Sequence, residues 1–127
     1  MHYKYIRNKF ILWKQIIYRI GLLKLVICQL PKDEEELFFM FPKAEYPLTE
    51  RQLEFAINSR FDSTVILFNN IIVGFANFYE VKKSQYTSIG NVVIDANYRN
   101  LGIGKYLIHT MEQIAIEKYG VSRLYLS

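Results

Sequence analysis

The sequence predicts an α/β (α+β) fold, a mixed sheet with flanking helices, on three observations. β-Rich runs at Thr64 to Phe68 and Ile71 to Val81 are joined by Asn69-Asn70, a pair that tolerates the positive φ angles of a two-residue hairpin turn. From Gly102 onward Ile103, Leu107, Met111, Ile114 and Ala115 recur at helical spacing. Strand-like and helix-like stretches alternate along the chain with no repeat, linker or low-complexity segment between them.

Length and composition agree with one domain. The chain has 127 residues, of which 51% are hydrophobic and 22% charged, with six Gly and three Pro, a balance that excludes disordered and collagen-like chains. A single cysteine, Cys28, forms no internal disulfide, and no Cys/His cluster suggests structural zinc, so no metal is expected and a reducing cytoplasm is the expected setting. The net charge of +4 is uneven. Residues 1–24 hold Lys4, Arg7, Lys9, Lys14, Arg19 and Lys24 without an acid. The remainder holds the other ten basic and all twelve acidic side chains, a balance of −2, which argues against a nucleic-acid partner.

Residues 1–23 read as a basic amphipathic segment ahead of a domain at 24–127. At 100° per residue Ile6, Phe10, Trp13, Ile17 and Ile20 share one side of a helix. Cations interrupt the segment too often for a membrane span, and it lacks the clean apolar stretch of a secretory signal. It is expected to be a helix packed on its own domain or, alternatively, one that contacts anionic lipid or a partner's groove through residues 1–24.

Further elements follow in order. Leu23 to Gln29, stopped by Pro31, suits a first strand, with Cys28 a core residue in it. Asp33 to Glu36 precede LFFMF as the acidic first turn of a helix ending near Pro42. Thr49 with Gln52 forms a capping box that opens a second helix to about Arg60. After the hairpin, Tyr86 to Asp95 is a further strand whose Gly90 marks a bulge or a close backbone approach. The long helix ends at Gly120, and Val121 to Ser127 is a last strand.

Chemistry concentrates in NVVIDANYRNLGIGK, residues 91–105, where a strand passes through a polar turn into a glycine-bearing helix start. Free amides at a helix N-terminus carry partial positive charge, and Gly102 and Gly104 lack the β-carbons that would obstruct a phosphate. Arg99 and Lys105 flank the turn as countercharges or as solvated surface cations. A dinucleotide fingerprint fails because its third glycine position is Leu107. A P-loop fails at Arg99 and Tyr106.

Arg99-Asn100-Leu101-Gly102-Ile103-Gly104 resembles the acyl-CoA signature of the GNAT superfamily of N-acyltransferases, Arg/Gln-x-x-Gly-x-Gly/Ala after a hydrophobic strand. The element order from about residue 24 is similar to the family's first five strands and three helices, a mixed, mostly antiparallel sheet. YPLT followed by a capped helix resembles the alanine N-acetyltransferases of ribosomal proteins. The resemblance implies that Val92, Val93 and Ile94 pair with the pantetheine arm of acetyl-CoA like an added strand, and that Asn100, Leu101, Gly102, Ile103, Gly104 and Lys105 hold the pyrophosphate. The N–H of Val93 or Ile94 would polarise the thioester carbonyl.

The implied reaction is direct attack of a primary amine, from a peptide or protein N-terminus or a small molecule, on the thioester. Where relatives often carry a glutamate this sequence has Ser88 and Ser127, which leaves Glu80, Asp62, or a water relay through Ser88 or Tyr86 to take the proton. Glu80 and Asp62 read equally well as solvated surface acids, and His109 as a surface helix residue. The family continues past its fifth strand, so the resemblance also implies an incomplete C-terminus, with homodimerisation or strand swapping as a way to cover it. The competing readings are a catalytically weak CoA-binding module and a basic-helix interaction protein.

Overall fold

A six-stranded sheet organises the chain, and the computed structural model describes residues 5–7, 10–14 and 21–126 of it. The elements are β1 (Tyr5–Arg7), β2 (Phe10–Lys14), α1 (Gly21–Cys28), α2 (Glu34–Met40), α3 (Glu50–Ser59), β3 (Phe61–Phe68), β4 (Ile71–Lys82), β5 (Tyr86–Ile94), α4 (Ile103–Tyr119) and β6 (Arg123–Leu126), with a 3-10 turn at Ala96–Tyr98. Strand order follows chain order, every neighbouring pair being antiparallel except β5 with β6. The hairpin expected at Asn69-Asn70 is present, both residues having positive φ.

Two expectations near the N-terminus are corrected. Tyr5–Arg7 and Phe10–Lys14 are strands rather than parts of an amphipathic helix across residues 1–24, and β2 pairs with β3 from Phe10↔Phe68 to Lys14↔Thr64. A run of aromatic and branched residues suits a strand, and here it pairs the edge that β3 turns away from β4. The rest of residues 1–20 lies outside the described residues. Conversely, the stretch read as a first strand forms the helix α1, because its apolar side chains pack against α3 and β4 instead of extending a ladder. Cys28 therefore ends a helix, and burial first, then the Glu50 carboxylate, pushes its thiol up to about 11, which leaves it protonated and inert.

Two cores flank the sheet. On one face α4 packs Leu107, Met111 and Ile114 over Ile66, Phe78 and Ile89. On the other, α1, α2 and α3 pack Ile27, Leu37 and Leu53 over Val65, Phe75 and Val93. Each such fully buried side chain contributes roughly 1.5–3 kcal/mol. Thr49 caps α3 by accepting from the Gln52 amide, as the capping box predicts. The reciprocal half differs: the Gln52 side chain binds the backbone of Glu45 and Pro47 and so pins the α2–α3 connection.

Asp62 corrects another expectation, since it is buried rather than solvated. It sits in a bulge of β3 with φ 54°, where Asp62 and Ser63 stand against one residue of β4. Its carboxylate accepts from Lys118 Nζ at 2.6 Å and from the Tyr119 hydroxyl, which ties the end of α4 to the start of β3. Burial opposes the Lys118 charge, but hydrogen bonding and attraction to Asp62 outweigh it and raise that pKa above 10.5. Burial, then the bond to Asp62, raises Tyr119 above 10.0. Both raised values favour the protonated partners, so the network is intact at neutral pH and is lost as pH climbs through them. Asp62→Ala is expected to lower unfolding free energy by about 2 kcal/mol in urea at pH 7, and its difference from the parent is expected to shrink above about pH 10.

Candidate functional site

Strand β5 changes character halfway. Tyr86 to Ile89 pair with Arg123 to Leu126 of β6, whereas Gly90 to Ile94 have no strand beside that edge among the described residues. At the same place β5 is bulged against β4, since Asn91 and Val92 stand opposite the single residue Ala76. Asn91 takes φ 53°, and the expected bulge at Gly90 thus falls one residue later. Two buried hydrogen bonds hold it: Asn91 Nδ2 donates to the Met40 carbonyl at 3.0 Å, and Asn77 Nδ2 donates to Asn91 Oδ1 at 2.9 Å. The bulge is thereby fastened to the end of α2.

Between α2 and the β5–α4 connection lies a cleft of about 600 Å³. Val92, Val93, Ile94, Arg99, Asn100, Gly102, Ile103 and Gly104 line it, eight of the ten residues singled out from the sequence. Leu101 and Lys105 are exposed outside it. Ile103, the first residue of α4, is buried. Sequence reasoning missed Glu35, Glu36 and Phe39, which form the opposite wall. The acid run was read as helix capping, and it does cap: Asp33 accepts from the Glu36 amide, and Glu36 accepts from the Lys32 amide.

The turn has the backbone of an anion cradle. Asn100 and Gly102 have φ of 66° and 83°, the left-handed region that Asn tolerates and Gly enters freely. The first helical bond of α4 runs from the Tyr106 amide to the Gly102 carbonyl, so the amides of Ile103, Gly104 and Lys105 have no partner within the helix. A Cβ on Gly104 would approach nothing closer than Ile94 Cγ1 at 3.9 Å, so packing does not require a glycine there. Its effect is to leave the cleft wall low. Arg99 is engaged: its guanidinium donates to the Ile94 carbonyl and pairs with Glu36 Oε1, both at 3.3 Å. Lys32 and Asp95 make a second bridge at 3.5 Å across the same gap.

The catalytic candidates meet on the sheet face that carries α1 to α3. Phe78 and Ile89 point into the core under α4, so Ser88, next to Ile89, points to the other side, and Glu80 points with it as its register partner because β4 is bulged at Tyr79. Tyr125 is the β6 partner of Ser88, and its ring contacts Tyr86 at 5.3 Å between centroids. Glu80 raises the Tyr86 phenol above its ordinary pKa, by hydrogen bonding first and then, with burial, by charge. Ser88 is buried and Glu80 exposed. Asp62 is committed to Lys118 and Tyr119, and His109 lies on the solvent side of α4 beside Glu112. Among the described residues no three His, Cys, Asp or Glu stand close enough to hold a metal ion, and no helix is long and apolar enough to cross a membrane.

The sequence matches the model of the Acetyltransferase (GNAT) family over residues 27–127. The chain belongs to that family. No curated protein matches it. Solved GNAT-type structures share the fold. A ribosomal-protein-alanine N-acetyltransferase from Brucella melitensis biovar Abortus 2308 superposes with TM-score 0.66 at 15% identity, covering 93% of this chain and 79% of that one. An aminoglycoside acetyltransferase from an uncultured soil metagenomic sample gives 0.65 at 22% identity, covering 97% and 80%. A GNAT family acetyltransferase from Elizabethkingia anophelis with acetyl-CoA bound gives 0.61 at 14% identity, covering 94% and 65%.

In this GNAT chain the two glycines of the turn differ in kind, and substitution separates them. Gly102→Ala is expected to cost about 1 kcal/mol through its positive φ, while Gly104→Ala is expected to be neutral or stabilising by up to about 0.5 kcal/mol. Chemical denaturation of the two variants checks the contrast.

Proposed function

We propose that the chain binds acetyl-CoA in the cleft between α2 and the β5–α4 turn and transfers its acetyl group to a primary amine. The observation that carries this reading is the cleft along Val92 to Ile94 leading into a turn whose three following amides lack helical acceptors. An extended pantetheine arm suits the stretch of β5 at Val92 to Ile94 that lines the cleft, and paired phosphates suit the amides of Ile103 to Lys105. The acetyl-CoA bound to the Elizabethkingia neighbour supports the cosubstrate. A reducing cytoplasm is the setting that fits a single inert thiol.

The thioester supplies the acetyl group, and the remaining work falls to protein groups. The amine nitrogen attacks the carbonyl carbon, the carbon–sulfur bond breaks, and CoA leaves as a thiolate. The Ile94 amide, which alternation points away from β4, faces the developing oxyanion, and the ammonium proton reaches Glu80, with Tyr86 beside it, through a water relay past Ser88. Deprotonating a lysine amine at pH 7 costs roughly 4.6 kcal/mol, whereas an α-amine costs about 1. That difference favours as acceptor class a low-pKa amine such as a peptide α-amine. A leaving thiol with pKa near 8.5 needs little acid assistance.

Acetyl-CoA is expected to raise the melting temperature, and free thiol is expected to appear faster with peptide α-amines than with lysine side chains. Glu80→Gln is expected to slow that release about 100-fold at pH 7 with CoA affinity retained; an unchanged rate would remove Glu80 from the mechanism. Stabilisation by acetyl-CoA without thiol release over an amine panel would instead identify a CoA-binding module. Glu36→Gln removes a carboxylate from the cleft and frees Arg99, and is expected to tighten CoA binding about fivefold, or ~1 kcal/mol, by calorimetric titration.

A further inference from the structure

A second concavity, of about 400 Å³, opens beside α3 and is lined by Lys43, Arg51 and Arg60 with no acidic residue. Of the other described cations, Lys24, Lys32, Arg99 and Lys118 pair with a carboxylate within 4 Å, while Lys82, Lys83, Lys105 and Arg123 do not; Lys43, Arg51 and Arg60 differ in lining one concavity together. Among the described residues, Lys43, Arg51 and Arg60 have no such partner. Arg60 is also positioned, with its guanidinium carbon 5.7 Å from the Phe41 ring centroid and 5.6 Å from that of Tyr79. Two rings that hold a guanidinium leave its N–H edge available for a planar anion. Burial lowers the Arg60 pKa, the direction expected of a cation that has lost water without gaining a carboxylate.

The location connects this concavity to the acceptor side. Tyr79 precedes Glu80, and it belongs with Tyr86 and Tyr125 to the group that acts electrostatically around the Tyr86 phenol. Phe41 follows Met40, whose carbonyl anchors the β5 bulge. Arg60 thus stands on residues that border both the catalytic face and the bulge.

We propose that the cleft of Arg60, Arg51 and Lys43 is an anion subsite that takes a carboxylate carried by the acceptor amine. The substrate class becomes an amine with a carboxylate elsewhere on the molecule, such as an acidic peptide. This specification rests on the acetyltransferase reading, but the binding it requires does not involve CoA.

The test uses the full chain and a short N-acetylated peptide, which cannot be acetylated again, as its free C-terminal acid and as its C-terminal amide. Binding is read without CoA from tyrosine fluorescence. The acid is expected to bind at least tenfold more tightly than the amide to the parent, and the preference is expected to vanish in Arg60→Met, which keeps an apolar stem between the rings. Arg51→Gln and Lys43→Gln, at exposed positions, are expected to reduce it several-fold and keep the test open should Arg60→Met not fold. With the unblocked peptides and acetyl-CoA, the preference is expected in KM rather than kcat. Equal binding of acid and amide, or a preference that survives all three substitutions, overturns the subsite whatever CoA does. Loss of CoA binding with the acid preference intact would overturn the acetyltransferase reading and leave the subsite.

Discussion

One buried relay, Asn77 to Asn91 to the Met40 carbonyl, fixes the geometry on which the cleft depends. A bulged residue with positive φ is an unfavourable place for a side chain unless its surroundings hold it there. Here both asparagines are buried, and breaking either bond would strand polar atoms at about 1–3 kcal/mol each. The bulge therefore persists, and with it the placement of Val92 to Ile94 along the cleft. The same relay anchors α2, so one constraint sets both the floor and the far wall of the cleft.

Electrostatics at that cleft are opposed in sign. Unpartnered amides and Arg99 favour an anion, while Glu35 and Glu36 stand across from them. The Arg99–Glu36 pair bridges the gap at 3.3 Å, and both side chains are partly solvated, so little energy holds it shut. A doubly charged diphosphate offers Arg99 a stronger partner than a single carboxylate does.

What the sequence made legible was local. The αL residues of the Asn69-Asn70 hairpin, the Thr49 cap, the glycine-led start of α4 and its Gly120 end all depend on neighbours within four positions, and all are present. Eight of the twelve cleft residues are legible for the same reason, since they lie in one continuous segment. The misreadings came where distant partners decide. Residues 5–7 and 10–14 have helical spacing but are strands, the second paired to the edge that β3 offers, and Leu23 to Gln29 reads as a strand but falls largely in the helix Gly21–Cys28. Asp62 lies 56 and 57 positions from its partners, and Asn91 lies 51 from Met40. Glu36 was legible as a cap but not as a cleft wall, because that role depends on how α2 lies over β5.

The central claim is that backbone amides, along the cleft-lining end of β5 and at a glycine-led helix start, form the cosubstrate site. Amide chemical shifts of nitrogen-15-labelled protein titrated with CoA test it residue by residue. The account expects the largest changes at Val92 to Ile94 and at Asn100 to Lys105, with the last strand and the end of α4 nearly still. Saturable binding whose shifts fall elsewhere, or no saturable shift at all in a folded sample, would contradict it.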